Sequence, residues 1–490
     1  MKILLKLSLL FALAAINGCG GSDSPPPSQP PPDSGIGRTG VSLGTITTFG
    51  SVMVNGVRYE TSTASFTIDD SPGSQSDLDV GDVVFISGTS DDDFTTGSAD
   101  SVSFDDNVEG PVQSIDLTLG QLVVLGQTVI VGPDTSFDDS ISPASLDGLA
   151  VGDIVEVSGF VAANGDIAAT RIELKPAGLQ FEVHGIVSGL DTSTLKFSIN
   201  ALVVDYSAAT LDDFPGGMIS DGDFVEAKGN TLSGTGELQA SRVEFETLGF
   251  AGAPDAHVEV EGLITRFVSA QDFDVAGIPV STDASTIFTG GVAGDLGLNI
   301  KVEVEGTLDA NSNVILADEV DIRRGKIIRV TALVDSVDSA GNSLVMLGIT
   351  FNVDNLTRFE DKRDPKVEPL GIGDLNSGDY LEIRGTETPA GSGEILAGIL
   401  EREELDTETI LQGFVTAASS PTVTVLGVTI ETDGNTEFQD TDDSIISATE
   451  FFNRVQAGSA TQTGSLIKAK GVESSVTTIT ASQVSFELEI

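Results

Sequence analysis

The sequence predicts an all-β chain, a tandem array of about six small five-stranded barrels, and three observations carry that prediction. A strand phrase opening on Gly-Asp returns along the chain, as in Gly152-Asp153-Ile154-Val155-Glu156-Val157-Ser158-Gly159. Four short phrases recur in fixed order, with starts at residues 44, 110, 185, 262, 332 and 413. The composition, with 55 Gly, 24 Phe, no Trp and abundant Val, Ile, Thr and Ser, favours strands, turns and modest apolar units. In the Gly-Asp phrase the glycine and aspartate make a turn. Val155 and Val157 then face one way, and Glu156 and Ser158 are expected to face water.

The chain opens on a leader. Lys2 and Lys6 supply a positive end and residues 7–16 a short apolar run, the layout of a secretory signal and too short to span a membrane. The following Ile16-Asn17-Gly18-Cys19 resembles the lipobox of bacterial lipoproteins, in which the cysteine is acylated and becomes the mature N-terminus. Asn17 is a less usual choice there. Cys19 is the only cysteine, so no intrachain disulfide is possible and lipidation gives that thiol a use. By the same resemblance, Gly20 in place of aspartate implies the outer membrane, facing either periplasm or exterior. Residues 21–34, with Pro25-Pro26-Pro27 and Pro30-Pro31-Pro32, read as an extended polar tether.

From Gly40 onward each unit opens on a Gly-x-Val/Ile strand start such as Gly44-Thr45-Ile46 or Gly110-Pro111-Val112, with Ala332-Leu333-Val334 as the variant. Next comes an apolar residue, any residue and glycine, as in Val124-Leu125-Gly126, where two strand halves flank a turn or bulge. A threonine near an apolar residue is third: Thr135, Thr286, Thr357 and Thr436. A variable segment follows, and in the last unit Ser447-Ala448-Thr449-Glu450 has a capping-type start suited to a short helix. The Gly-Asp phrase then precedes an alanine that begins a final alternating strand, as at Ala169, Ala240 and Ala481. Intervals of 66 to 81 residues are domain spacing, since a unit of that length closes its own small core. Five strands with an insertion between the third and fourth suggest an OB-like barrel, with a small sandwich of other connectivity as the competing arrangement.

The predicted organisation is a signal peptide at residues 1–18 and the lipidated cysteine with its tether at 19–39. The β-units follow at 40–106, 107–178, 179–250, 251–325, 326–406 and 407–490. The Gly-x-Ile/Val, Val-x-Gly-Val and Val-Gly-Asp phrases, behind a lipobox and a proline-rich tether, resemble the proteobacterial lipoproteins that carry tandem copies of an uncharacterised domain of unknown function. The match is close through residues 44–57 and weaker in units four to six. It implies architecture and location and transfers no functional residues.

Chemistry is sparse. A net charge of −51 repels nucleic acid and anionic membrane and attracts cations or basic partners. The histidines are His184 and His257, and no nucleophile elbow, zinc-protease pair or phosphate loop is present. His184 occupies a slot that other units fill with Glu109, Glu261 and Gln412, and reads as a surface strand position. The acid clusters Asp69-Asp70, Asp91-Asp92-Asp93, Asp105-Asp106, Asp138-Asp139, Asp212-Asp213 and Asp442-Asp443 read as solvated turns, with calcium as the alternative. Asp309-Ala310-Asn311-Ser312-Asn313 spaces oxygens at alternate residues but lacks the glycine and distal glutamate of an EF-hand loop. The expectation is therefore a non-catalytic binding or structural module of the cell envelope. It is anchored through Cys19, has no catalytic or metal-ligating residues and no cofactor, and has an envelope protein or glycan as partner. A calcium-stiffened surface adhesin or spacer is the first alternative, and a glycan-processing enzyme using a carboxylate pair the second.

Overall fold

The computed structural model describes residues 38–91, 95–247, 256–309, 313–323, 325, 327–388, 392–441, 444–459 and 463–487. Residues 37–490 form one compact unit. The expected leader, Cys19 and nearly all of the expected tether lie outside the described residues. So do Asp92, Asp93, Asp442, Asp443, the middle of the 309–313 loop and the join at 248–255.

The second unit shows how each barrel closes. Its first strand, Val108–Asp116, pairs antiparallel with Gln121–Val124, which turns back into Gln127–Phe137. That third strand runs parallel to the fifth, Ile167–Lys175. The fifth is antiparallel to the fourth, Ile154–Val161, and the fourth returns to the first. This ring, with one parallel contact between third and fifth strands, is the OB order, and no edge is left inside it. The other five units repeat it. A short 3-10 turn such as Leu146–Gly148 sits between third and fourth strands. In the sixth barrel it is a helix, Ala448–Arg454, whose N-terminus is capped by the Ser447 hydroxyl accepting from the Glu450 amide at 3.1 Å.

The recurring phrases are the parts of this ring that a side chain or its absence must satisfy. The Val-x-Gly phrase is a two-residue hairpin turn needing positive φ at both central residues. Leu125, Leu347 and Leu426 adopt φ of 46°, 52° and 50° there. The leading glycine makes room for that turn, since a Cβ on Gly110 would come within 2.5 Å of Leu125 Cγ. The glycine ending the Gly-Asp phrase sits at a β-bulge against the fifth strand. A Cβ on Gly159 would meet the Ala168 carbonyl oxygen at 2.3 Å, and Gly159 is paired with Ala169. The third-phrase threonine donates its hydroxyl to the carbonyl of that same alanine: Thr135 to Ala169 at 2.7 Å, Thr286 to Ala317 at 2.8 Å, Thr357 to Ala397 at 2.7 Å and Thr436 to Ala481 at 2.8 Å.

The barrels join in pairs, and not only with their neighbours in sequence. The second and third pair through Val108–Asp116 and Phe181–Asp191, the fifth and sixth through Ile328–Asp338 and Thr409–Ser419. Each of these pairs shares one apolar core. The first barrel pairs instead with the fourth, Gly40 to Leu43 running parallel to His257 to Val260, and Val41 enters the fourth barrel's core. Cationic side chains then tie the pairs together. Arg358 of barrel five donates to the Asp134 and Thr170 carbonyls and the Ser136 hydroxyl of barrel two. Arg384 donates to the Pro133 and Thr135 carbonyls. Arg171 of barrel two reaches the Val80 carbonyl of barrel one at 3.0 Å.

This packing corrects one expectation. Glu156 and Ser158 do not face water, because the outward faces of these strands are covered by another barrel and both residues are buried. Ser158 accepts from the Val83 amide of barrel one at 2.9 Å.

Candidate functional site

The joined sheet of barrels two and three carries a line of charge across six adjacent strands. In register lie Glu173, Glu156, Glu109, Glu182, Lys228 and Arg242. Like charges directly opposite one another destabilise a sheet, so four consecutive glutamates need compensation. Lys175 supplies part of it at one end, 2.7 Å from Glu156 and 2.9 Å from Glu173. Lys228 supplies part at the other, 3.0 Å from Glu182 and 2.8 Å from Glu226.

Barrel one covers this line with further acids. Asp69 and Asp70 form a hairpin turn between Ser65–Ile68 and Ser71–Gly73, both with positive φ, and Asp105 and Asp106 follow the last strand, Thr96–Phe104. Asp70 is neutralised by Arg242 at 2.8 Å and Lys228 at 3.4 Å. Asp106 has no such partner. It is 2% exposed, and neither carboxylate oxygen receives a hydrogen bond. Two of the acid clusters expected to be solvated turns therefore meet in one junction, and Asp106 is enclosed because the second and third barrels close over the join that carries it.

His184 belongs to the same junction and is not an open surface position. Its side chain is 12% exposed, with Nε2 3.4 Å from Glu226. Burial, opposed by Glu226, lowers its pKa and keeps the ring neutral. The carboxyls are shifted the other way. Burial, then the charges of Glu182, Glu156, Asp69 and Glu109, raises Asp106 far above the ordinary carboxylate range. Burial also pushes Glu156 up to about 7, and, with Glu226 beside it, Glu182 up to about 10. Asp105 is raised to about 6 by burial and by Asp69.

Among the described residues, three sets of side chains bring ligand atoms within 4.8 Å of one another, and all three lie here: Asp69, Asp106 and Glu156; Asp106, Glu182 and His184; Asp70, Glu226 and Glu244. The remaining described acid clusters are held by cations or by turns. Asp139 pairs with Lys362 at 3.6 Å, Asp212 with Arg242 at 2.9 Å, and Asp138 accepts from the Ser140 amide at 3.0 Å. Reading the sequence placed Glu156 in water and did not single out Glu182. The signal was the slot shared by Glu109, Glu261, Gln412 and His184: Glu109 faces Glu156 in its own barrel and Glu182 across the seam to the third. Cys19 is outside the described residues.

A search of curated proteins finds no match. A solved structure, drosophila Unr CSD456, is similar over 45% of this chain and 98% of its own at 14% identity, with a TM-score of 0.13, too loose a superposition to carry any argument. One family model, described as a domain of unknown function (DUF5666), matches residues 109–173, 184–244, 261–321, 331–397 and 412–485. Each matched segment falls on one of barrels two to six, and together they span most of the chain. The chain belongs to that family of domains of unknown function, in tandem copies.

Proposed function

We propose that this chain is a lipid-anchored, non-catalytic module of the outer membrane, a compact block of repeated barrels that holds or spaces an envelope protein or glycan. The observation that carries the reading is the pairing of a lone Cys19, set behind a short apolar leader and ahead of a proline-rich tether, with a body whose barrels are clamped to one another. Acylation fixes one end to the bilayer, and two chains of anchorage or added contacts are generally needed for lasting attachment. The clamps support a structural role, because Arg358 and Arg384 spend their donors on backbone carbonyls of a neighbouring barrel. The acidic surface favours basic or neutral partners over nucleic acid.

The test is expression of the full chain and of Cys19→Ala in a Gram-negative host supplied with radiolabelled palmitate. The unaltered chain is expected to take up label and sediment with outer membranes, and the variant to lose both. An unlabelled, freely soluble unaltered chain overturns the reading. Protease added to intact cells then separates a surface position from a periplasmic one.

A further inference from the structure

The junction of barrels one, two and three holds more negative charge than its lysines neutralise, and it encloses that charge. Asp106 stands over the glutamate row, away from water, with both oxygens unpartnered. An ionised carboxylate in such a place is costly unless a cation or a proton meets it. Glu156 gives one oxygen to Lys175. Asp69 accepts only a long 3.4 Å bond from the Asp106 amide. These three carboxylates come within 4.8 Å of one another.

We propose that Asp69, Asp106 and Glu156 bind one hard divalent cation, calcium or manganese, with Asp106 as its central ligand. The donor set is all oxygen, the preference of such ions, and water completes the coordination that three carboxylates leave open. The ion draws its ligands from two barrels: Asp69 and Asp106 from the first and Glu156 from the second. It also lies beside Glu182 of the third, so it cancels repulsion across all three. Binding is thus coupled to the docking of barrel one on the joined sheet. The inference does not depend on acylation at Cys19 or on any envelope partner.

The test uses the full chain, stripped with chelator and titrated calorimetrically with calcium, manganese, magnesium and zinc in turn, beside Asp106→Asn, Glu156→Gln, His184→Gln and Glu60→Gln. Glu60 is exposed on barrel one and belongs to none of the three ligand sets. The expected result is one binding event per chain with calcium or manganese, weakened at least ten-fold in Asp106→Asn and in Glu156→Gln. It should be unchanged in Glu60→Gln, and accompanied by a rise in melting temperature. In chelator Asp106→Asn should melt above the unaltered chain, which also shows that the variant folds. Should it not fold, Glu156→Gln carries the comparison. No binding by the folded chain at millimolar calcium or manganese overturns the proposal and leaves protons as the neutralising species. Binding specific to zinc and lost in His184→Gln overturns it too, by moving the ion to Glu182 and His184.

Discussion

Arg358 of the fifth barrel places Nη1 3.0 Å from the backbone carbonyl oxygen of Asp134 in the second, across more than two hundred residues of sequence. The same nitrogen also donates to Ser136 Oγ at 3.0 Å and the Thr170 carbonyl at 3.2 Å. Burial lowers the guanidinium's pKa, yet an arginine stays charged, so these acceptors keep their donor at every working pH. Arg358→Met should cost about 3 kcal/mol in urea unfolding, since it strands buried carbonyls. Arg358→Lys should recover part of that loss, having a point charge in place of a planar fork.

Within a barrel, the Thr135 hydroxyl answers the Ala169 carbonyl at a place where the register of the third strand slips. Thr135→Val keeps shape and removes the donor, and is expected to lower stability by about 1 to 2 kcal/mol. Thr135→Ser keeps the donor and should cost less. Equal losses in the two variants would assign the effect to packing.

Two glycines of the Gly-Asp phrase, Gly88 at a bulge and Gly152 in the opening turn, should rank by what a methyl meets. A Cβ on Gly88 would stand 2.1 Å from the Ser98 carbonyl oxygen, which is backbone and cannot turn aside. Gly152 has open space but φ of +98°. Gly88→Ala is therefore expected to cost about 3 kcal/mol, near the upper end for overpacking, and Gly152→Ala roughly 1 to 2 kcal/mol for backbone strain alone. Thermal unfolding of the two variants side by side checks the order, which matters more than either figure.

The junction also makes stability depend on pH. Burial with like-charge repulsion raises Asp105 to about 6, Glu156 to about 7 and Glu182 to about 10 in the folded chain. A group raised on folding stabilises while protonated, and that contribution is lost as pH rises through the folded value. In chelator, the melting temperature should therefore climb as pH falls from about 8 to about 5. The gain ends in strong acid. Glu173 and Glu261, where Arg171 with Lys175 and Lys301 with Arg323 outweigh burial, are held at about 2, and they lose their stabilising charge as pH falls through that value. A flat profile between neutral and mildly acid pH in chelator would contradict these shifts.

The barrels were legible in the sequence because each phrase answers a short-range demand of the backbone. A hairpin turn, a bulge and a broken strand need particular residues wherever they occur, and the need is met within one unit, as Leu125 and Gly110 or Thr135 and Ala169 show. The junction was not legible for the opposite reason. Alternation correctly separates Val155 and Val157 from Glu156 and Ser158, but it says only that the second pair points away from the barrel's own core. Whether water or another barrel lies there depends on residues far off, such as Asp106 and Val83. Asp105-Asp106 read locally as a polar turn, and beyond the nearby Glu109 nothing close to it in sequence shows Glu156 and Glu182, which also act on it.

The partnership of barrel one with barrel four, joined by the Ser42 hydroxyl to Glu259 over 217 residues, nests the second and third barrels inside it like one pair of brackets within another. As the chain emerges from its N-terminus, the outer bracket stays open until the fourth barrel is made, so one edge of the strand at 40–43, whose other edge is paired inside barrel one, waits while the inner pair completes itself. Copy number is then not free to drift by one. A duplication or loss of a single barrel orphans a seam, whereas gain or loss of a whole bracketed pair leaves the strand pairings of the others closed, and lengths in such chains should step by two.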